Sequence, residues 1–230
     1  MRVYIGYDER EHEAYRVARR TLFDTSGLTD EPLIESNLRD RGLIWRDVDE
    51  RDGKFYDLPS NAHAATRFAI SRFLTPILCQ KGWALFVDCD VVFLDDVKKI
   101  LVQADESMAV MVVKHLHTQE GVKMDGQPQV SYPRKNWSSV MLFNCDHPAN
   151  RRLTIQDINT RPGRDLHAFY WLNDCEIGSL KTEWNWLVNV QSKPVLPKIA
   201  HFTLGGPWID GWNPQPHDDL WLEAKSGRRH

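Results

Sequence analysis

Trp83-Ala84-Leu85-Phe86-Val87-Asp88-Cys89-Asp90 is an apolar run that opens after Gly82 and ends in two carboxylates one residue apart. Its apolar part is too short for a helix of ten or more residues and has the length and bounds of a buried central strand. A carboxylate buried beside another costs on the order of several kcal/mol unless cations or donors compensate it. Two such groups at a strand end are therefore solvated, share a proton or hold a metal. The tripeptide alone also suits an ordinary turn, because Asp caps helices and tolerates bends. The five apolar residues leading into it make a metal or catalytic role an equal alternative, since open α/β sheets take their ligands at the carboxyl ends of central strands.

The 230 residues, 42% hydrophobic, suffice for one α/β domain with a sizeable core. A formal net charge of −3 provides no basic face for nucleic acid, which is not an expected partner. Cys79, Cys89, Cys145 and Cys175 are scattered without a CxxC pair, against a zinc ribbon or redox motif. Met1-Arg2-Val3-Tyr4-Ile5-Gly6 enters a strand at once without a charged leader, and no run approaches membrane-spanning length. The expectation is a cytoplasmic enzyme with reduced thiols and no transmembrane segment.

Upstream of the central run, Val3-Tyr4-Ile5 predicts a first strand and Gly6-Tyr7-Asp8 its terminal turn. A helix follows from about Glu11 to Phe23, with Ala14, Val17, Ala18 and Leu22 on one face. Tyr7 and Asp8 then lie at the carboxyl edge, where a ring can stack on a base and a carboxylate can accept from its N–H; a helix cap by Asp8 and a core Tyr7 satisfy the same residues. Pro32 to Ser36 reads as a second strand and Arg39 to Arg51 as a connection of little regular structure. A helix is expected from Ala62 to about Leu74, capped by Ser60 or Asn61, with Pro76 near its end. Arg67 at its edge either neutralises the carboxylate pair, holds a phosphate or is a plain surface arginine.

Downstream, Val91 to Leu94, Met108 to Val113, Val140 to Asn144 and Lys198 to Phe202 read as strands, and Asp95 to Leu101, Pro148 to Ile158 and Arg164 to Leu172 as helices. Gly121 to Lys135 lacks periodicity and suits a mobile lid. Seven of nine tryptophans follow position 130. At least four are expected to pack in the core, leaving the rest as candidates to stack on a sugar ring.

Four features occur in a telling order: Gly6-Tyr7-Asp8, Thr66-Arg67-Phe68 before Asp88-Cys89-Asp90, Ser138-Ser139-Val140-Met141-Leu142-Phe143-Asn144, and His201-Phe202 followed by Gly205-Gly206-Pro207-Trp208. With these the chain resembles the retaining glycosyltransferases of the glycogenin and bacterial lipopolysaccharide galactosyltransferase type, glycosyltransferase family 8-like. The resemblance implies an α/β, Rossmann-like GT-A fold with a mixed central sheet, as a single domain over 1–230, with a donor-binding part at about 1–115 and an acceptor side at about 116–230. It implies a Mn²⁺ or Mg²⁺ ion held by Asp88, Asp90 and His201, a ligand set whose chemistry suits Mn²⁺. Tyr7 and Asp8 would contact the base, and Arg67 and the backbone near Cys89 the ribose or sugar, with Asn136, Ser138 and Trp208 also in the donor site. Asp174, and after it Glu176, would lie by the anomeric carbon.

The implied activity is transfer of a hexose from a nucleotide sugar, a UDP-hexose, to a glycan or other hydroxyl acceptor with retention. Two departures mark a divergent branch. Gly206 stands where the family has a diphosphate-binding lysine, so that the N–H groups of Gly205 and Gly206 would cradle phosphate instead. Asn136-Trp137-Ser138-Ser139 replaces the family's sugar-contacting pattern. A haloacid-dehalogenase-like phosphatase also uses strand-Asp-x-Asp, although its pair normally lies on the first strand, and a non-catalytic nucleotide- or sugar-binding homologue fits the missing lysine.

Overall fold

The computed structural model describes residues 1–51, 54–115, 134 and 136–227, and the backbone of 121–122 and 128–129. Trp83–Val87 is the strand expected, and Ala84, Leu85, Phe86 and Val87 are all fully buried. Burying each of the larger three contributes about 1.5–3 kcal/mol, which fixes this strand in the middle of a sheet. The order across that sheet is Ile177–Ser179, Val110–Val112, Val140–Asn144, Trp83–Val87, Arg2–Gly6, Asp30–Leu33. Only Val140–Asn144 runs antiparallel to its neighbours. The sheet is thus mixed, with its parallel half on the side of Arg2–Gly6.

The register sets the levels of everything at the carboxyl edge. Ile5 pairs with Val87, Gly6 with Leu33, and Val87 with Val140, so the ends of four strands come out side by side. The helix His12–Ser26 returns along the sheet and ends at Gly27, whose φ of 70° is left-handed and suits glycine. A second, three-stranded sheet pairs Val91–Phe93 antiparallel with Ile199–His201, which lies parallel to Trp186–Leu187. Val17, Val92, Trp186, Ala200, Phe202 and Trp221 form a separate core around it.

The helix expected over Ala62–Leu74 does not form. Ala62–His63 is the third strand of a meander with Val48–Arg51 and Lys54–Asp57, and helical geometry starts at Ser71, as a 3-10 turn to Leu74 and an α-helix over Thr75–Cys79. Pro76 belongs to the first turn of that helix, where its missing N–H costs nothing, rather than near an end. Phe68 is apolar because it packs on Gly6, where a Cβ would fall 2.4 Å from the ring. The stretch Arg39 to Arg51 holds more structure than expected, being preceded by a helix at Glu35–Asp40 and containing the strand Val48–Arg51.

Pro148–Arg152 is a 3-10 turn, separate from the helix Ile155–Thr160, whose start carries a capping box from Thr154 and Asp157. A helix at Asp218–Ser226 was not foreseen. Trp171, Trp184, Trp186 and Trp221 are buried, matching the four expected in the core. The expected lid at Gly121 to Lys135 lies mostly outside the described residues; Gly121–Val122 pairs antiparallel with Pro128–Gln129. Among the described residues no helix is long and apolar enough to cross a membrane.

Candidate functional site

Asp88 leaves the central strand at its carboxyl end, and its N–H donates to the Ser139 carbonyl at 3.0 Å. The chain then turns into Val91–Phe93 and so into the second sheet. There His201 pairs with Val91, and the Phe202 N–H donates to the Asp90 carbonyl at 2.9 Å. This pairing brings the His201 imidazole onto Asp90, with Nε2 3.2 Å from Oδ1. Asp88, Asp90 and His201 each offer one ligand atom, all within 4.8 Å of one another.

His201 Nδ1 lies 3.0 Å from Asn185 Oδ1, and Asn185 Nδ2 donates to Ser139 Oγ at 2.9 Å. With its amide so oriented, Asn185 presents an acceptor to Nδ1, which therefore carries the proton and leaves Nε2 turned to the carboxylates. Such a partner on the far nitrogen is the usual support of a ligating histidine. Burial works to lower the His201 pKa, but the Asp90 charge and hydrogen bond outweigh it and hold it above its ordinary value. Burial likewise works to raise that of Asp90, and His201 and then Arg72 hold it below the usual carboxylate range. The upward shift of His201 against its own burial records the carboxylate charge that surrounds it.

Arg72 supplies positive charge of its own. It is 6% exposed, its Nη1 is 2.9 Å from Asp88 Oδ1 and donates to the Ser138 carbonyl, and its guanidinium lies over the rings of Phe68 and Phe86. The arginine that neutralises the carboxylate pair is therefore Arg72 and not Arg67. Arg67 instead faces Glu9 and Glu35 at 3.4 and 3.5 Å and stacks on Phe55 at 3.6 Å. The signal for Arg72 was an arginine beside Phe73 and Leu74, an apolar setting no surface residue needs.

Glu11 also escaped sequence reading. Its carboxylate accepts from the Cys89 thiol at 3.2 Å, and burial, followed by the nearby Asp90 charge, pushes its pKa up to about 7. Cys89 itself is fully buried, with its thiol given to Glu11. Asp8 is the helix-cap alternative realised: fully buried, it accepts from the Arg10 N–H, from the Arg10 guanidinium at both oxygens and from the Arg67 N–H. Burial opposes ionisation of Asp8, yet these donors hold its pKa below the ordinary value. Tyr7 is half-buried, its hydroxyl 3.1 Å from His12 Nδ1 and its ring edge-on to Tyr15.

Asn136 and Ser138 act on the ligands' supports. The Asn136 carbonyl accepts from Ser139 Oγ, and Ser138 Oγ lies 2.7 Å from Nδ1 of His167. Burial, then the charge of Arg72, lower the His167 pKa to about 3, so this imidazole is neutral. The Gly205 N–H is already given to the Phe202 carbonyl, so it does not cradle a phosphate. Both glycines answer a packing need: a Cβ at Gly206 would lie 2.1 Å from the Trp208 ring, and Gly205 has φ of 102°. Trp208 packs on Phe202 and Trp221 in the second core.

Asp174 and Glu176 are not brought to the cluster. They form the turn that feeds Ile177–Ser179, and Ile177 pairs with Val110, Val110 with Phe143, and Phe143 with Ala84. That is the level of Ala84, four residues or about 13 Å before Asp88, and three strand spacings or about 14 Å to the side. Glu176 is bound by Arg152 and caps its own turn, while Asp174 is 90% exposed and paired with Arg134. Their place in the order of motifs was right for the resemblance, but sheet register puts their turn at the opposite end.

No protein-family model matches the chain. Over 230 residues it is 43% identical to Protein CDI of Arabidopsis thaliana, covering 96% of this chain and 84% of that protein. The chain belongs to the Protein CDI family. Among solved structures this member of the Protein CDI family is similar to the glycosyltransferase GlyE of Streptococcus pneumoniae, with a TM-score of 0.57 and 13% identity over 97% of this chain. It spans only 59% of the length of GlyE. It is also similar to LgtC in two structures, with TM-scores of 0.59 and 0.53 and identities of 12% and 15%, each covering 98% of this chain and 95% of LgtC. One of these is the galactosyltransferase in complex with donor and acceptor sugar analogues. At such identities the likeness is one of fold, and the fold is GT-A.

Proposed function

We propose that the chain is a metal-dependent glycosyltransferase that moves a hexose from a UDP-sugar to a hydroxyl acceptor, with retention as in the family it resembles. The observation that carries this reading is the convergence of Asp88, Asp90 and His201 at the carboxyl edge of a GT-A sheet. Two carboxylates and a neutral imidazole, with Nδ1 held by Asn185, fit Mn²⁺ or Mg²⁺ in donor chemistry. When bound, the ion would offset the charge that grows on the leaving nucleoside diphosphate.

The chain's own residues do the rest. Asp90 and His201, 3.2 Å apart, would hold the ion together with Asp88, His201 through an unprotonated Nε2. Arg72, 2.9 Å from Asp88 Oδ1, aims that carboxylate. Asn185 and Ser139 hold the imidazole plane, linking the two sheets. The donor side at about 1–115 supplies both aspartates, and the acceptor side at about 116–230 supplies His201, so the two parts meet at the ion. All four cysteines are unpaired, which supports a reducing, cytoplasmic setting.

A third ligand arriving from a second sheet has no part in a haloacid-dehalogenase arrangement. Titration of Mn²⁺ with UDP into the wild type and into Asp88→Ala, Asp90→Ala and His201→Ala tests the assignment. Metal-dependent binding in the wild type and a loss of at least 100-fold in each variant are expected. Binding left intact by all three changes would sink it.

A further inference from the structure

Towards the far end of the helix His12–Ser26 from the metal cluster, a cavity of about 590 Å³ is lined by that helix, by Leu28 and Thr29, and by Lys225 of the helix Asp218–Ser226. Arg20, on its wall, lies about 13.5 Å along the helix from Glu11, the residue that accepts the Cys89 thiol. Its Nε and Nη2 are buried and have no hydrogen-bond partner among the described residues. Those two atoms form the edge of a guanidinium that grips an oxyanion at two points. In Arg10 and Arg46 the same edge is filled, by both oxygens of Asp8 and of Asp57. In Arg20 it is open.

The acceptors around it are already engaged. Glu13 is held by Lys225 at 2.6 Å, and Asp30 by Arg19 at 3.3 Å and by the Tyr15 hydroxyl at 2.9 Å. The carbonyls of Thr21, Leu22 and Phe23 accept from Thr25 Oγ1, Ser26 Oγ and the Gly27 N–H. Of the four cations lining the cavity, Lys225 and Arg19 therefore have acids, whereas Arg16 and Arg20 have none among the described residues. These two lie one turn apart on the same face, where like charges repel. Two uncompensated positive charges match a dianion better than a single carboxylate, and a phosphate monoester carries about −1.5 to −2 at pH 7. Phe23, 57% exposed, and Leu28 add apolar surface to the same cavity. Arg16 and Phe23 are exposed side chains, free to turn aside on a nanosecond scale and admit a ligand to the Arg20 edge.

We propose that this cavity is a second binding site, separate from the metal cluster, for the phosphate monoester of an organic molecule. Arg20 grips two phosphate oxygens through Nε and Nη2, Arg16 meets the third, and the organic part lies on Phe23 and Leu28. A soluble ester and phosphatidic acid in a membrane offer this same group, and experiment separates them.

Calorimetric titration of the full chain in chelator with phenyl phosphate, inorganic phosphate and benzoate tests the site in the wild type, Arg20→Gln, Arg20→Lys and Arg16→Gln. Cosedimentation with phosphatidylcholine vesicles, with and without phosphatidic acid, accompanies it. Phenyl phosphate is expected to bind about threefold more tightly than inorganic phosphate and about fivefold more tightly than benzoate. Both Arg20 variants should weaken it about tenfold, the lysine because it keeps the charge and loses the fork, and Arg16→Gln about threefold. Without ligand, Arg20→Gln should melt at or above the wild-type midpoint, because the charge it removes has no partner; if it does not fold, Arg20→Lys decides. Cosedimentation that needs both phosphatidic acid and Arg20 would name a membrane headgroup as the source, and phenyl phosphate binding without it a soluble ester. Binding of neither phenyl phosphate nor phosphatidic acid by the wild type, affinity unchanged in the Arg20 variants, or benzoate bound as tightly as phenyl phosphate would overturn the site.

Discussion

The two ends of the central sheet both carry acids, and they treat them differently. At the amino end, Glu176 meets Arg152 and Asp174 meets Arg134, each carboxylate matched by a guanidinium near solvent. At the carboxyl end, Glu11, Asp88 and Asp90 crowd together with Arg72 and a histidine as their cations, and Glu11 is pushed toward neutrality. An acid pair balanced by its neighbours holds a turn. An acid cluster crowded into a half-buried place, with one carboxyl pushed toward neutrality, offers its oxygens to an ion.

The contrast breaks most sharply if Arg72 is removed. Arg72→Met leaves Asp88 without its buried partner, and a loss of about 3–5 kcal/mol in unfolding free energy is expected in chelator, with part recovered on adding Mn²⁺. Denaturant unfolding with and without metal measures both. Asn185→Leu frees the far nitrogen of His201 without touching a ligand, and a 10–100-fold loss in Mn²⁺ affinity follows, read by calorimetry.

Glu11 sharpens the comparison through pH. Its folded pKa of about 7 lies above its ordinary value, so its favourable contribution is complete below about pH 4.5 and fades as pH rises through 7. Metal-free protein should lose about 3 kcal/mol over that window, and Glu11→Gln should flatten the slope. The smallest effects belong to the amino end: Glu176→Gln should cost at most about 1 kcal/mol. Asp174→Ala should change turnover less than twofold, and a hundredfold loss there would return that turn to the reaction.

What was legible in the sequence had local causes. The central strand, the aspartate pair, the β-α opening and the Val140–Asn144 strand follow from runs of apolar residues that any sheet must bury. His201 was legible only through resemblance, because nothing in its neighbourhood announces that its strand pairs with Val91. Asp174 and Glu176 were legible only through motif order, which carries no information on which end of a strand a turn feeds; Ile177 after them is level with Val110. The helix at Ala62 failed because Ala65, Phe68, Ala69 and Phe73 are spaced like a helical face, yet the two phenylalanines answer to separate neighbours, Gly6 for the first and Phe169 and Trp171 for the second. Arg72, Asn185 and Glu11 act through side chains far apart in sequence, and only three-dimensional packing brings them together.

The hydrogen bond from Phe202 to Asp90 closes a loop of more than a hundred residues. A chain still emerging from the ribosome therefore carries both aspartates, and the strand beneath them, long before His201 exists to meet them. Because closing so long a loop is slow and entropically costly, the second sheet is expected to dock late. Until it does, the nascent chain holds Asp88 and Asp90 without His201, and the three-residue cluster is complete only with its last third.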